Sequence, residues 1–439
     1  MAGEGHRKTL GDYFTLQRGT TYKSRLLGQP GPVLLGLATI QRNGGFRTDS
    51  LRTYGGESPA KLLVKPGDLY LSLKDVTQSA DLLGAVARLP IDHPPGRLTQ
   101  DTVKLEPKRA DVPLDYLYWL LRTPQYRRYC GAHATGTTNL GLAREDFLAF
   151  PAPEPTPNQR KIVETLGALD AKIELNRRMN ETLEAMARAL FKSWFVDFDP
   201  VRAKVEGSDP GLPKPLANLF PDSFEDSDFG EVPKGWGLKR FADTVDIIGG
   251  GTPKTSVSEF WDGDIPWFSV VDAPSNSEVW VMDTTKKITR EGVENSSTRV
   301  LSVGTTIISA RGTVGRIALV GAPMAMNQSC YGLRGKAEKH GFFTYYATRE
   351  LVTRLQQHAH GSVFDTITQD TLASVSLALP PALLIEAFET RVGPTLERIR
   401  ASLLSSRTLA ALRDALLPKL ISGELRVQAA KQSIQEVTV

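Results

Sequence analysis

Two long stretches of this chain place apolar residues at alternating intervals of four and three positions. The first runs from Asn158 to Trp194. A repeat of 3.5 residues is typical of a long helix that packs along a narrow seam. About 37 helical residues rise roughly 55 Å, which exceeds the width of a small domain, so the stretch predicts a spacer helix rather than a core helix. Its seam positions are Ile162, Leu166, Leu169, Ile173, Asn176, Asn180, Leu183, Ala187, Leu190 and Trp194.

A second stretch of this kind runs from Ala382 to Ile421. Pro394 predicts a break or a helix start near its own position, because proline lacks the backbone N–H and clashes with the preceding turn. Neither apolar stripe can be buried within its own segment, so the two helices are expected to pack against each other. Asn176 and Asn180 lie mid-seam in the first stretch, where polar residues fix register. The second seam comprises Val392, Leu396, Ile399 and Leu403, then a shifted run of Leu409, Leu412 and Leu416.

The rest of the chain contains an internal repeat of short β-branched runs bounded by Gly, Asp and Pro, which predicts a strand-rich domain present twice. One helix is expected in each copy, over Leu114 to Tyr129 and over Phe342 to Gln357. The matching segments, in the same order in both copies, are Leu16-Gln-Arg-Gly19-Thr-Thr with Ile247-Ile-Gly-Gly-Gly251-Thr252, Lys65-Pro-Gly67-Asp-Leu-Tyr-Leu-Ser72 with Ser302-Val-Gly304-Thr-Thr-Ile-Ile-Ser309, Gln100 with Gln328, and His133-Ala-Thr-Gly136 with His358-Ala-His-Gly361.

The region between Asp199 and Trp236 is rich in proline and acidic residues, which predicts a solvated linker. The predicted class is therefore α+β, with two repeated strand-rich domains separated by two long antiparallel coiled-coil helices and related by a pseudo-two-fold axis. The predicted boundaries are 1–154 for the first domain (the first copy), 155–199 for the central helix, 200–230 for the linker, 231–380 for the second domain (the second copy), 381–424 for the C-terminal helix and 425–439 for a polar tail.

Composition narrows the class of protein. The chain has 439 residues, of which 41% are hydrophobic, and its formal net charge is only +4. A net charge this small permits nucleic-acid binding without predicting it. Such binding depends on whether basic residues cluster on one face, rather than on the net charge. The two cysteines, Cys130 and Cys330, form no disulfide framework or zinc pattern. No apolar stretch approaches the length of a membrane span, so a cytoplasmic location is expected.

Catalytic motifs are missing from the sequence. The stretch from Ile248 to Thr255 has Ile248 and Pro253 where a phosphate-binding loop needs glycine. The six histidines show no metal-ligand spacing, and there is no Gly-x-Ser-x-Gly elbow. No Asn/Asp-Pro-Pro-Tyr/Phe tetrapeptide, which DNA amino-methyltransferases place beside the target base, is present. The chain is thus predicted to bind rather than catalyse, with neither metal nor cofactor of its own.

Several loops carry side chains suited to DNA contact. In the second copy, Ser309-Ala-Arg311-Gly-Thr313-Val-Gly315-Arg316 joins two apolar strands, and arginine is a common reader of phosphate and guanine. A glycine-rich hairpin with solvated arginines is the alternative interpretation. Amide side chains read adenine edges, although they also cap turns. The candidate DNA-binding residues are Arg311, Thr313, Arg316, Thr252, Lys254, Ser256, Asn327, Gln328 and Ser362 in the second copy, and Lys23, Ser24, Lys74, Gln78, Gln100 and Thr137 in the first.

Several short segments, together with this order of domains and helices, are typical of one protein family. They are Pro155-Thr-Pro-Asn-Gln159-Arg-Lys-Ile162, Trp194-Phe-Val-Asp-Phe-Asp-Pro200, Phe220-Pro-Asp-Ser-Phe224, Gly230-Glu-Val-Pro-Lys-Gly-Trp236, Ser309-Ala-Arg-Gly-Thr-Val-Gly315, Asn327-Gln328 and Leu416-Leu-Pro-Lys-Leu-Ile-Ser-Gly-Glu424. With them the chain resembles the specificity subunit of Type I restriction-modification enzymes. The resemblance spans the whole chain and is strongest in the linker and the second copy. It is weaker at Lys74-Asp75, which replaces an Arg-Gly pattern, and at Pro381-Ala-Leu-Leu-Ile385, which departs from a Pro-Leu-x-x-Gln entry.

The resemblance implies a non-catalytic reader of double-stranded DNA. Each copy would be a target-recognition domain that reads one half of a split sequence, and the paired helices would set the gap between the halves. The helices would also dock two methyltransferase subunits, which bring S-adenosylmethionine, and a motor and nuclease subunit would complete the complex. The helix residues expected to serve the spacer and the partners are Ile162, Leu166, Leu169, Ile173, Leu183, Leu190, Leu396, Ile399 and Leu403.

Two alternatives of other classes stay open at this point. A helical scaffold that does not read DNA predicts partner binding that is insensitive to salt, whereas DNA contact predicts an affinity that falls steeply with salt. The recognition part of a self-contained methyltransferase or nuclease predicts activity in the isolated chain.

Overall fold

A computed structural model describes residues 8–48, 51–137, 139–152, 157–227, 230–275, 277–336, 341–358 and 366–438. The chain divides into two compact units, 1–172 together with 408–439 (unit 1) and 173–407 (unit 2). Unit 1 contains the first copy and unit 2 the second. The candidate Ser362 and the match at Gly361 lie outside the described residues.

The first copy is built on a four-stranded antiparallel sheet in the order β1-β8-β4-β6, accompanied by the three-stranded sheets β2-β7-β3 and β5-β10-β9. Leu69, Tyr70 and Leu71 are fully buried in its central strand. The elements are α1 (Leu10–Tyr13), β1 (Phe14–Arg18), β2 (Val33–Leu35), β3 (Leu63–Val64), β4 (Leu69–Ser72), β5 (Lys74–Asp75), β6 (Val86–Arg88), β7 (Gly96–Leu98), β8 (Thr102–Pro107), α2 (Leu114–Leu120), α3 (Pro124–Ala132), β9 (Ala134–Thr135), β10 (Leu140–Leu142) and α4 (Arg144–Ala149).

Between the copies lie the long helix α5 (Pro157–Phe195), the short helices α6 (Asp199–Val205) and α7 (Lys214–Ala217), and the hairpin of β11 (Phe224–Ser227) and β12 (Gly230–Pro233). Val201 and Phe220 are buried in the core of unit 2. Part of segment 200–230 is therefore folded against that core, which differs from the solvated linker predicted by its composition. The composition does not reveal this because a few apolar residues suffice to anchor a proline-rich segment.

The second copy is built on the mixed sheet β14-β21-β18-β19-β16. A second sheet, β17-β15-β20, pairs β15 with β20 in parallel. The elements are β13 (Gly237–Arg240), α8 (Phe241–Thr244), β14 (Val245–Gly249), β15 (Trp261–Phe268), β16 (Trp280–Val281), β17 (Lys287–Ile288), α9 (Arg290–Glu294), β18 (Thr306–Ser309), β19 (Ile317–Val320), β20 (Ala325–Met326), β21 (Cys330–Gly335), α10 (Phe342–His358), α11 (Gln369–Ser374) and β22 (Ser376–Leu379). Short 3-10 helices occur at Ser24–Leu26, Leu37–Thr39, Ala60–Leu62, Ser258–Phe260 and Val270–Asp272.

The order of strands confirms the predicted internal repeat and the α+β class. The first four strands of the second sheet, β14-β21-β18-β19, repeat the order β1-β8-β4-β6 with the same antiparallel pairing. The parallel pair β2 and β7 likewise corresponds to β15 and β20. Ser72 and Ser309 both end their strands and are fully buried, as the matched segments predict.

The predicted single helix of the first copy is wrong, because the structure has two. α2 ends at Leu120 and α3 begins at Pro124, with the Thr123 hydroxyl accepting a hydrogen bond from the Tyr126 amide at 3.3 Å. A threonine cap followed by proline favours a new helix start, since proline at the first helical position gives up no hydrogen bond. The second copy keeps one helix, α10, as predicted.

The C-terminal long helix α12 (Ala382–Ser422) runs through Pro394 without a break, so the predicted interruption is wrong. Residues on both sides of the proline are buried, with Phe388, Leu396 and Ile399 fully excluded from solvent. A proline inside a helix costs about 3 kcal/mol, and burial of one large apolar side chain contributes about 1.5–3 kcal/mol. Packing therefore outweighs the local preference. The chain then forms α13 (Val427–Thr438), so a helix stands where a polar tail was expected.

The two long helices pack against each other in both units, and in unit 2 they run antiparallel. In unit 2, Asn176 lies beside Ser402 and Ser406, while Phe195 near the other end of the same segment packs on Phe388. In unit 1, the carboxylate of Asp170 contacts Arg413 at 2.6 Å. The predicted pairing of the two helices is therefore present in both units.

The buried face of α5 is wider than a strict heptad seam. Of the predicted spacer positions, Ile162, Leu166, Leu169, Leu396 and Ile399 are buried, whereas Ile173, Leu183, Leu190 and Leu403 are only half-buried. Glu184 and Phe191 are buried instead because α10 packs on this part of the helix, where Phe191 stacks on Tyr346 with ring centroids 5.7 Å apart.

Among the described residues, no helix combines the length and the apolar character needed to cross a membrane.

Candidate nucleic-acid interface

Three loops of the second copy leave the same edge of its central sheet. β14 ends where β21 begins, with Gly249 opposite Tyr331. The start of β21 also faces the end of β18, with Cys330 opposite Ser309, and β18 turns into β19 there. The topology therefore brings together the candidate groups Thr252, Lys254 and Ser256, Asn327 and Gln328, and Arg311, Thr313 and Arg316. We call this edge of the second copy, and the corresponding edge of the first copy, the recognition edge.

The two loops on either side of the β14–β21 pair contact each other. The Thr252 hydroxyl donates a hydrogen bond to the side-chain oxygen of Gln328. Gly250 lies so close to the neighbouring loop that a Cβ atom would stand 1.9 Å from the Asn327 carbonyl oxygen, so glycine is required. The oxygen of the Asn327 side chain accepts the Ser329 amide at 3.0 Å. Asn327 thus has a structural role, and Gln328 is the exposed amide of the pair.

Lys254 and Ser256 are exposed on the loop that follows. Two tryptophans hold this loop by its backbone. The indole N–H of Trp267 donates to the Gly251 carbonyl at 3.0 Å, and that of Trp261 donates to the Lys254 carbonyl at 3.2 Å. The backbone is therefore fixed while the lysine side chain projects outward.

The arginine-bearing loop is shaped by the buried Ser309. Its hydroxyl donates to the Thr313 carbonyl at 2.6 Å and accepts the Arg316 amide at 2.8 Å. Gly312 and Gly315 adopt positive φ angles of 77° and 81°, which favour glycine. Arg311, Thr313 and Arg316 are exposed, and their side chains have no hydrogen-bond partner among the described residues. Two unpaired guanidinium groups on a rigid loop are suited to bind phosphate or a guanine edge.

Lys74 occupies the position of Arg311 in the first copy. Lys74 pairs with Gly141 in a β-ladder, and Arg311 pairs with Thr366 at the corresponding place in the second copy. The Lys74 amide donates to the Ser72 hydroxyl at 3.0 Å, just as Ser309 organises the arginine loop. The Lys74 ammonium lies 3.3 Å from the carboxylate of Asp101, so it is partly neutralised.

Most other candidates of the first copy lie at the same edge. Gln100 and Gln78 are exposed in loops next to Lys74, and Thr137 is exposed in the turn between β9 and β10. Lys23 and Ser24 are exposed on the loop that follows β1. The structure therefore gathers Lys74, Gln78, Gln100 and Thr137 at one edge, whereas Lys23 and Ser24 lie several residues beyond the end of β1.

Two arginines of the first copy were missed by the sequence analysis. Arg18 ends β1 at the recognition edge, and its Nε donates to the Gln100 carbonyl at 3.4 Å. Arg97 is buried, and its guanidinium donates to the Thr20 hydroxyl at 3.0 Å and the Thr21 carbonyl at 3.2 Å. Arg97 thereby fixes the loop that carries Lys23. Its position inside an apolar strand gave no signal of this role, because only the fold brings residues 20 and 97 together.

The cysteines offer no reactive group at either edge. Both thiols are buried, and burial raises the pKa of Cys130 above its ordinary value and that of Cys330 to about 12. A neutral thiol is a poor nucleophile and metal ligand. Within the described ranges, no group of three or more His, Cys, Asp or Glu side chains is placed to hold a metal ion.

Residues 233–383 match the family profile described as the Type I restriction modification DNA specificity domain. The predicted resemblance is confirmed. The chain is 28% identical over 367 residues to the Type I restriction enzyme HindI specificity subunit of Haemophilus influenzae, covering 73% of this chain and 79% of that protein. It is 26% identical over 328 residues to the MjaIX specificity subunit of Methanocaldococcus jannaschii, covering 72% of this chain and 69% of that protein.

The fold is similar to that of a solved specificity subunit. The crystal structure of the S subunit of a Type I restriction-modification system from M. genitalium superposes with a TM-score of 0.50 at 14% identity, covering 96% of this chain and 97% of that one. At this level of identity the similarity concerns the fold alone.

Proposed function

We propose that this chain is the non-catalytic, sequence-reading subunit of a Type I restriction-modification complex, and that each copy reads one half of a split DNA site. This proposal is supported mainly by the repeated sheet, because the loops at its recognition edge bear different side chains in the two copies. Both copies offer basic and amide side chains on loops held by buried contacts, yet the second has Arg311 where the first has Lys74. The same sheet with two different sets of exposed side chains is suited to read two different half-sites.

The spacer role is supported by the length of the helices. α5 has 39 residues and α12 has 41. At 1.5 Å per residue, 39 residues rise about 58 Å, whereas successive major grooves on one face of DNA recur every ~34–36 Å. Helices of this length are sufficient to carry two reading domains to successive grooves. We propose that they fix the gap between the half-sites.

The proposed partners follow from the family. We propose that the long helices dock two methyltransferase subunits, which bind S-adenosylmethionine and methylate the target adenine, and that motor and nuclease subunits complete the cytoplasmic complex. Because the chain contains one domain twice, it is able to offer similar surfaces to two identical partners.

The test is modified-base sequencing of DNA from cells that express this chain with its methyltransferase subunit, compared with cells that lack only this chain. The expected result is a split motif with methyladenine in each half, present only with this chain. A methyltransferase shown to be active, without methylation that depends on this chain, would overturn the proposal and favour a helical scaffold. Methylation or cleavage by the isolated chain would instead show a self-contained enzyme.

A further inference from the structure

A cavity of about 430 Å³ in unit 1 has five arginines in its lining. It lies between the loop of residues 41–44, helix α3 and the C-terminal part of α12. We call it the arginine pocket. Its charged lining residues are Arg42, Arg122, Arg127, Arg128, Arg413 and Asp414.

The arginine pocket holds more positive than negative charge. Asp170 pairs with Arg122 at 2.9 Å and with Arg413 at 2.6 Å, and Asp414 also pairs with Arg413. Asp81 lies 3.8 Å from Arg42, at the limit of an ion pair. Among the described residues, the five guanidinium groups therefore face three carboxylates, which leaves two positive charges uncompensated.

Arg127 and Arg128 carry this surplus. The Arg127 guanidinium donates to the carbonyls of Leu83, Ala80 and Asp81 at 2.5, 2.7 and 2.9 Å, and neutral carbonyls do not cancel its charge. Arg128 is exposed and has no ion-pair partner within the described part of the chain. A concave surface with spare guanidinium groups is suited to bind phosphate oxygens.

The position of the arginine pocket indicates which phosphate groups it would bind. Residues 80–83, which Arg127 holds, belong to the connection between β4 and β6, which also carries Lys74 in β5 and Gln78. One wall of the pocket is thus bonded to the connection that carries Lys74 and Gln78 at the recognition edge of the first copy. DNA read at that edge has a backbone that extends past the bases in contact.

We propose that the arginine pocket binds backbone phosphates of DNA that flanks the half-site read by the first copy. This inference rests on the proposed function and adds a contact that strengthens affinity without reading sequence. Among the described residues of the second copy, the corresponding stretch of α10 carries Arg354, and Glu350 holds that arginine in an ion pair at 3.0 Å. The clamp therefore acts on one flank of the split site.

The test measures the affinity of the full-length chain for a mixed-sequence duplex over a range of salt concentrations. Arg42→Gln and Arg128→Gln remove exposed charges from the pocket. Arg109→Gln is the matched control, because Arg109 is an exposed arginine of the same copy that follows the far end of β8, away from the recognition edge. Each pocket variant is expected to reduce the slope of log affinity against log salt by about 1, and Arg109→Gln is expected to leave it unchanged.

The discrimination between the cognate duplex and one with an altered half-site should stay at the wild-type ratio in both pocket variants, which also shows that they are folded. Slopes equal to wild type would overturn the phosphate clamp, as would an equal loss in the Arg109 variant. Wild-type slopes together with loss of the co-purified methyltransferase subunit would overturn it in favour of an acidic protein partner. A wild-type chain without salt-dependent affinity for DNA would refute the proposed function itself.

Discussion

At the scale of single residues, Arg311 and Lys74 allow the two copies to be tested against each other. They occupy equivalent ladder positions at the two recognition edges. Arg311→Ala is expected to weaken discrimination at the half-site read by the second copy by about 1–3 kcal/mol, the range for one good base contact, and to leave the other half-site unaffected. Lys74→Ala should show the reverse pattern. Binding to duplexes with one altered half-site measures both, and equal loss at both halves in either variant would refute the assignment.

A buried ion pair in unit 2 gives a second prediction at this scale. Arg349 on α10 contacts the carboxylate of Glu184 on α5 at 2.7 Å, and the Glu184 side chain is only 7% exposed. Arg349→Ala leaves a buried carboxylate without its arginine, which is expected to lower the free energy of unfolding by about 3–5 kcal/mol. The half-exposed pair of Arg354 with Glu350 is the control, and Arg354→Ala should cost less than about 1 kcal/mol. Denaturant unfolding measures both, and similar losses would contradict this account.

The roles of single residues were also the features that could be predicted least completely from the sequence. The exposed candidates were found because hydroxyl, amide and basic side chains in glycine-rich loops have a recognisable composition. Their convergence on one edge depends on sheet order, which pairs strands far apart in the chain. Asn327 shows the limit, because its side chain caps a turn rather than pointing outward as a reader. Arg97 shows it too, since its partners lie more than 70 residues away.

At the scale of elements, the two asparagines in the seam of α5 are predicted to behave differently. The Asn176 side chain donates to the Ser406 hydroxyl at 3.0 Å, whereas the buried side-chain oxygen of Asn180 has no partner among the described residues. Asn176→Leu should lower the free energy of unfolding, because it leaves the partner on α12 unpaired. Asn180→Leu should raise it by about 1 kcal/mol, because an unsatisfied polar group leaves the core. The test compares the denaturant midpoint of each variant with that of the wild type, at equal m-values. Equal midpoint shifts in the two variants would contradict the prediction.

The elements also show why periodicity predicts some features and not others. The bounds of α5 and α12 agree closely with the stretches read from the sequence, because a repeat sustained over many turns depends little on the rest of the fold. Pro394 was interpreted by its local preference alone, and buried neighbours on both sides override that preference. In the first copy, Pro124 does begin a new helix, since Thr123 caps it. The same residue type therefore has opposite effects, which tertiary packing and capping decide.

At the scale of the whole molecule, the duplication predicts that reading and spacing are separable. The recognition edges are formed within the copies, whereas α5 and α12 join other parts of the chain. Inserting four residues in α5 near Asn176 adds about one helical turn, or roughly 6 Å. DNA rises 3.4 Å per base pair, so the gap in the methylated motif is expected to lengthen by one or two base pairs.

Both halves of the motif should keep their base sequence, because no loop at either recognition edge is altered. Modified-base sequencing of cells that express the insertion variant with the methyltransferase subunit measures gap and halves together. Substituting the four residues preceding Asn176 with alanine, without insertion, is the control, and its gap should equal that of the wild type. An insertion variant that methylates the unaltered motif would refute the spacer role of the helices. Changed bases in either half would show that reading depends on the helices as well, and would refute the separation of the two functions.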